Sequence, residues 1–333
     1  MTDTRYEVLG IGNAIVDVIA RTEEDFLAVH DLAKGSMMLI DEGRAEALYA
    51  AMGPAQIISG GCAANTVSGV ASFGGRAAFI GKVRNDTLGD LFAQNIRAFG
   101  VGFATPAATA GPATARSFIM VTPDGERTMN TYLGACQGLG PQDIDEKAVA
   151  DSAFIYLEGY LWDPPLAKEA FRQAARIAHA AGRQVALTLS DSFCVDRYRD
   201  EFMELLRSRM VDVLFANEHE LKSLFATGDF DDAVSSLRET GALGVVTRGA
   251  QGAMVVTREE TTAVPAFPVE RVVDTTGAGD LFAGGFLFGL ARDFSGADCL
   301  KLGALAAAEV ISHLGARPEV KLKQLAQQEG FAV

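Results

Sequence analysis

Cysteine is scarce in this 333-residue chain: Cys62, Cys136, Cys194 and Cys299 lie far apart and make no C-x-x-C pair. That argues against a disulfide framework or a cysteine zinc site and fits a reducing cytosol. Histidine is equally thin, with His30, His179, His219 and His313 outside any H-E-x-x-H pattern. Positive charge is also short. Twenty-nine Lys and Arg against 43 Asp and Glu leave a net charge of −14, which repels nucleic acid and anionic membrane. An anionic substrate is still allowed, because a nest of backbone amides holds a phosphate even on an acidic protein. The longest apolar run, Leu281 to Ala291, is too short and glycine-rich for a bilayer span, which takes about 20 residues. No basic and apolar leader follows Met1, so the expectation is a soluble cytoplasmic protein without a signal peptide. A Walker A loop is missing as well, since Gly75 to Lys82 has the wrong spacing and Val83 follows it.

What is present is apolar and rhythmic. At 49% hydrophobic residues the chain can build a large core, as two domains or as one large domain with an attachment. Apolar runs at Val8 to Ile11, Ala77 to Ile80, Phe154 to Leu157, Val185 to Leu189, Val213 to Ala216 and Gly244 to Thr247 read as buried strands. Between them, Thr66 to Phe73, Leu88 to Phe99, Pro165 to Ala181, Asp200 to Arg209 and Asp231 to Thr240 read as helices. This alternation predicts an α/β fold: a mostly parallel sheet with helices on both faces. Residues 14–41 and 114–132 alternate polar with apolar instead, and Pro123-Asp124-Gly125 is a hairpin turn. They predict a small antiparallel lid sheet, leaving residues 1–13, 42–113 and 133–333 to the large domain.

One glycine-rich segment carries chemistry. Asp274-Thr275-Thr276-Gly277-Ala278-Gly279-Asp280 lies between a strand-like stretch, Val269 to Val273, and an apolar helix starting near Leu281. A flexible loop opening a helix offers unpaired N–H groups and the positive end of the helix dipole to an anion. Asp280 in the first turn could accept a proton from a hydroxyl attacking a phosphorus held there. The plain alternative is a helix cap with glycines for close packing. A dinucleotide fingerprint fails, because Phe282 stands at the third glycine position here and Ile15 does so after Gly10-Ile11-Gly12.

Together with Gly60-Gly61-Cys62-Ala63-Ala64-Asn65, this segment resembles the two signature regions of the ribokinase-like family of sugar and nucleoside kinases. The likeness runs from about Tyr6 to Pro318. Gly12 to Asp17, Asp25-Phe26-Leu27 and Leu187 to Ser190 look most like adenosine kinase, and Asn217-Glu218-His219-Glu220 matches the N-x-x-E element. The resemblance implies a Rossmann-like three-layer sandwich with a β-sheet lid. It makes Asp280 the catalytic base and Gly277, Ala278 and Gly279 the anion hole. Asp17, Asn13, Asn65, Gly60 and Gly61 become substrate contacts, with Leu133 and Tyr160 in a slot for a base; Tyr160 and Trp162 also read as core or hinge residues, and for Trp162 that reading leads. For ATP and Mg²⁺ it implies Asn217, Glu220 (a magnesium contact, directly or through water), Thr247, Gly249 and Gly252. Arg248 reads as a phosphate contact or a solvated loop residue. Asp274 and Thr276 match part of a monovalent-cation site, so K⁺ is an open expectation. Cys62 reads as a small buried residue and His219 as structural or solvent-facing. The expected activity is phosphorylation of a nucleoside 5′-hydroxyl, adenosine first. A sugar, another nucleoside, or a silent binding protein on the same scaffold are the alternatives. Monomer and homodimer are both open.

Overall fold

In Tyr6–Ile11 successive side chains enter opposite cores, Val8 packing on one face of a sheet and Leu9 and Ile11 on the other. A strand buried on both faces must be apolar throughout, which is why the sequence shows runs here instead of alternation. The structure, a computed structural model, describes residues 4–333. Its main sheet has nine strands. In spatial order they are Thr261–Val264, Ala253–Val256, Leu243–Thr247, Val213–Asn217, Gln184–Thr188, Ser152–Glu158, Tyr6–Ile11, Ala77–Ile80 and Gly102–Phe103. All pairs are parallel except the two that join the first three strands of that order. Helices cover both faces, so the architecture is the expected three-layer α/β sandwich. One core holds Cys62–Ser72, Ala278–Leu290 and Gly296–Val310; the other holds Pro165–Ala180 and Ser192–Arg207.

All six expected strands and all five expected helices are found, with shifted ends. The largest shift is the helix expected from Asp200, which starts at Ser192 and kinks at Tyr198. One expectation fails. The stretch Val269 to Val273 is irregular, and Val272 and Val273 are exposed. The backbone N–H of Val273 donates to the Ile311 carbonyl at 2.8 Å, beyond the end of Gly296–Val310, so no ladder partner remains for a strand.

The small sheet, expected to be antiparallel, is mixed: its five strands run in the order Met37–Leu39, Arg127–Tyr132, Ala115–Val121, Ile15–Arg21 and Gln56–Gly60, with the first two parallel to each other and Ala115–Val121 parallel to Ile15–Arg21. Its hairpin turns where expected, with Gly125 at φ +85°. The expected boundary is corrected: residues 42–60, assigned to the large domain, belong with this sheet. Gln56–Gly60 pairs antiparallel with Ile15–Ile19, and Ala45 and Leu48 of Glu42–Ala51 pack with Val18, Phe118 and Met120. Register then decides the opposite face, where Asp17 lies beside Ser117, and Ser117 beside Thr131. Among the described residues no helix is long and apolar enough to cross a membrane.

Candidate active site

Two helix N-termini meet in one cleft. Cys62–Ser72 starts directly after Gly60 and Gly61, and Ala278–Leu290 starts after Gly277. Asn65 in the first turn of one donates its Nδ2 to Asp280 Oδ2 in the first turn of the other, at 2.9 Å. Asn65 is 4% exposed and its Oδ1 is buried with no hydrogen-bond partner, an acceptor left for a donor from a ligand. Burial pushes the Asp280 carboxyl up to about 6, against the stabilising effects of the Asn65 amide, the Cys62 thiol and the Arg317 guanidinium. Gly277 holds φ +79°, and a Cβ on it would lie 2.8 Å from the Ala316 backbone. Gly279 faces open space. The Ala278 N–H turns back to the Thr275 carbonyl at 3.2 Å, so Ala278 shapes the loop instead of offering a free amide.

The small sheet supplies the facing wall. A Cβ on Gly60 would sit 2.3 Å from Asp17 Oδ2, and one on Gly61 (φ +95°) 2.1 Å from the Asn13 carbonyl. These two positions must be bare for the strand, the carboxylate and the helix start to fit together. Burial raises the Asp17 carboxyl to about 7, opposed by Arg317 and Arg127. Asn13 does not point into open space. Its backbone N–H and Nδ2 donate to the two carboxylate oxygens of Glu158, at 3.3 and 2.7 Å. The Ala63 N–H joins the same carboxylate at 2.9 Å. Burial raises Glu158 to about 7.

Across from this, Asn217, Glu220 and Thr247 line a cavity of ≈ 100 Å³ together with Cys62, Gly279 and Asp280. Asn217 and Glu220 form a capping box: Asn217 N–H and Nδ2 donate to the two Glu220 oxygens at 2.9 and 2.6 Å, and Glu220 N–H returns to Asn217 Oδ1. Glu220, raised to about 7 by burial, therefore holds Asn217 in place through both of its oxygens. Gly249 and Gly252 lie outside this cavity; a Cβ on Gly252 would meet the Val264 carbonyl at 2.1 Å. Arg248 pairs with Glu218 at 2.9 Å and lies over the Phe230 ring. Behind Gly252, Val264, Pro265, Phe267, Phe294 and Phe331 line a larger, mostly apolar cavity of ≈ 700 Å³, with Asp298, Lys301 and Glu329 also on its wall.

Tyr160 and Leu133 are half-buried. Tyr160 donates its N–H to Ser190 Oγ at 3.1 Å, and burial raises its phenol, helped by Asp191. Trp162 is fully buried, stacked among Phe171 and Phe202 with Nε1 on Glu201 at 3.0 Å, so it is a core residue. His219 is exposed, as expected, while Cys62 is only half-buried, at the cavity wall.

Sequence reading overlooked three charged residues. Glu158 ends an otherwise apolar strand, a readable signal. Arg127 is the start of the alternating hairpin strand. Arg317, 6% exposed, donates to the Ser59 and Ala64 carbonyls at 3.1 and 2.6 Å; nothing in its local sequence marks it.

Comparisons with known proteins point to one family. Residues 41–322 match the pfkB family carbohydrate kinase model. The crystal structure of adenosine kinase from Sinorhizobium meliloti is 56% identical, with a TM-score of 0.92 over 98% of this chain and 100% of that one. A probable sugar kinase from Rhizobium etli CFN 42 is 52% identical, with a TM-score of 0.92 over 98% of this chain and 99% of that one. Aminoimidazole riboside kinase of Salmonella typhimurium is 34% identical over 70% of this chain and 74% of its own length. The chain belongs to the pfkB family of carbohydrate kinases.

Proposed function

We propose that this protein transfers the γ-phosphoryl group of ATP to the primary 5′-hydroxyl of a nucleoside, with adenosine as acceptor and AMP as product. The observation that carries the reading is the placement of Asp280: a carboxylate raised to about 6, held by Asn65, on a helix N-terminus that opens on a cavity shared with Asn217 and Thr247. Such a group is ionised at neutral pH yet close enough to it to take a proton efficiently. The 56% identity to the Sinorhizobium meliloti adenosine kinase supports the nucleoside.

Asp17 accepts the hydroxyls of the ribose, and Asn65 Oδ1 accepts one more. Asp280 takes the proton of the CH₂OH group as its oxygen bonds to the γ-phosphorus and the bond to the β-phosphate oxygen breaks, releasing ADP. The free amides of Gly279 and Asp280 stabilise charge on the moving group. Asn217 and Thr247 sit on the far side, where the β- and γ-phosphates enter, and the apolar cavity behind Gly252 takes the base of ATP. The hydroxyl- and carboxylate-lined cavity (Thr188, Ser190, Thr247, Glu220) suits a hydrated hard cation. Asn217 and Glu220 would hold a Mg²⁺ there, and the ion would supply neutralisation of phosphate charge.

A free sugar as acceptor is the second reading, favoured by the Rhizobium etli neighbour. The deciding experiment measures kcat/KM with MgATP and adenosine, inosine, guanosine, cytidine, ribose and fructose. Adenosine is expected to lead. Preference for a free sugar over every nucleoside overturns the acceptor, and no product with any of them overturns the reaction.

A further inference from the structure

We infer that Asp274 and Thr276 hold no monovalent cation in this protein, because the guanidinium of Arg127, carried in by the small sheet, already supplies the positive charge at that place. The inference starts from the acceptor count at Asp274, which is 6% exposed. A carboxylate offers about four lone-pair directions. Asp274 Oδ1 accepts from Thr276 N–H at 3.0 Å and from Thr276 Oγ1 at 2.8 Å. Asp274 Oδ2 accepts from Gly315 N–H at 2.9 Å and forms an ion pair with Arg127 Nη2. Three of those directions carry hydrogen bonds, and the Arg127 guanidinium lies against Oδ2 as an ion pair. The Thr276 hydroxyl is used too: it donates to Asp274 and accepts from Arg127 Nη1 at 3.1 Å. A cation entering here would have to displace these donors and would sit against a guanidinium of the same sign.

The register explains why Arg127 reaches this far. It lies opposite Val121 in the hairpin, on the same strand face as Thr131, the face that also carries Ser117 and Asp17. Its side chain is 11% exposed and that of Asp274 2%, so solvent screens the pair little. The loop from Asp274 to Gly277 sets the start of the helix that carries Asp280. Arg127 is thus a positioning residue that ties the small sheet to the anion-binding loop. Its consequence for turnover rests on the kinase reading above; its consequence for cation binding does not.

The test therefore has two arms. In the first, the thermal midpoint of the substrate-free protein is compared in KCl and in tetramethylammonium chloride at equal ionic strength, and Tl⁺ binding is followed by ²⁰⁵Tl NMR. Equal midpoints and no bound Tl⁺ are expected. A rise with K⁺ together with bound Tl⁺ overturns the inference, whatever the enzyme turns over. In the second, wild-type turnover is expected to change less than about fivefold between the two salts, below an ordinary coupling between sites. Arg127→Gln is expected to lose about 10- to 100-fold in turnover, the equivalent of one charged hydrogen bond, and to regain part of it with guanidinium or K⁺. Absence of any recovery overturns the assignment of that charge to Arg127. Should Arg127→Gln fail to fold, Arg127→Lys keeps the charge, and its K⁺ response is expected to stay as flat as that of the wild type.

Discussion

Asn65 and Asp280 are joined by a 2.9 Å hydrogen bond although 215 positions separate them, and each stands in the first turn of a different helix. That bond stabilises the ionised carboxylate, while burial works against it. A base must be ionised to act, so activity is expected to fall as pH drops through about 6, and not through the usual carboxylate range near about 4. Removing the donor in Asn65→Ala raises the carboxyl further and moves the acid limb to higher pH. Asp280→Asn is expected to lower kcat by about 10²–10⁴-fold with little change in nucleoside affinity. The checks are kcat against pH for wild type and Asn65→Ala, and calorimetric binding to Asp280→Asn.

Glu158 gathers three donors: Asn13 N–H, Asn13 Nδ2 and Ala63 N–H. Glu158→Ala strands all three in a buried place, each worth about 1–3 kcal/mol unsatisfied. A lowered Tm is expected, together with a raised KM for the acceptor and an ATP KM close to wild type. Equal changes in both KM values would show that Glu158 acts on the whole fold and not on the acceptor side.

Gly60→Ala places a methyl group 2.3 Å from Asp17 Oδ2, so the carboxylate has to move. A loss of about 1–3 kcal/mol in acceptor binding is expected, roughly 5- to 150-fold in KM. Circular dichroism should stay native, because the strand Gln56–Gly60 keeps its pairing with Ile15–Ile19.

Trp162 fills the core between Phe171 and Phe202 and does not line the cavity beside Asp280. Trp162→Ala is expected to cost about 3–5 kcal/mol of stability. Trp162→Phe, which keeps much of the volume and loses the bond to Glu201, should lower Tm modestly and leave the ratio of kcat/KM for adenosine and inosine unchanged. A changed ratio would return Trp162 to the acceptor site.

The parallel sheet, its flanking helices and the hairpin were legible in the sequence because hydrophobic periodicity is a local property. Asp280 and Gly277 were marked by a glycine-rich helix start, and Gly60 and Asn65 by the family resemblance. The position of Gln56–Gly60 was not, since five residues next to a helix do not say which of two sheets they join. Nor was Val269 to Val273, whose β-branched residues look like a strand until the Ile311 carbonyl takes a backbone donor.

The segment from Asp274 to Asp280 shows the division best. Its residue types alone determined a glycine-opened helix start with a carboxylate in the first turn, because backbone geometry and dipole belong to the chain itself. Which partner each carboxylate meets was decided only by the tertiary structure. Glu220 faces Asn217, Glu158 faces Asn13, and Asp274 faces Arg127, and such pairings depend on strand register and on loops brought together from distant positions. A charge declares itself in a sequence, but the charge that answers it is chosen by folding.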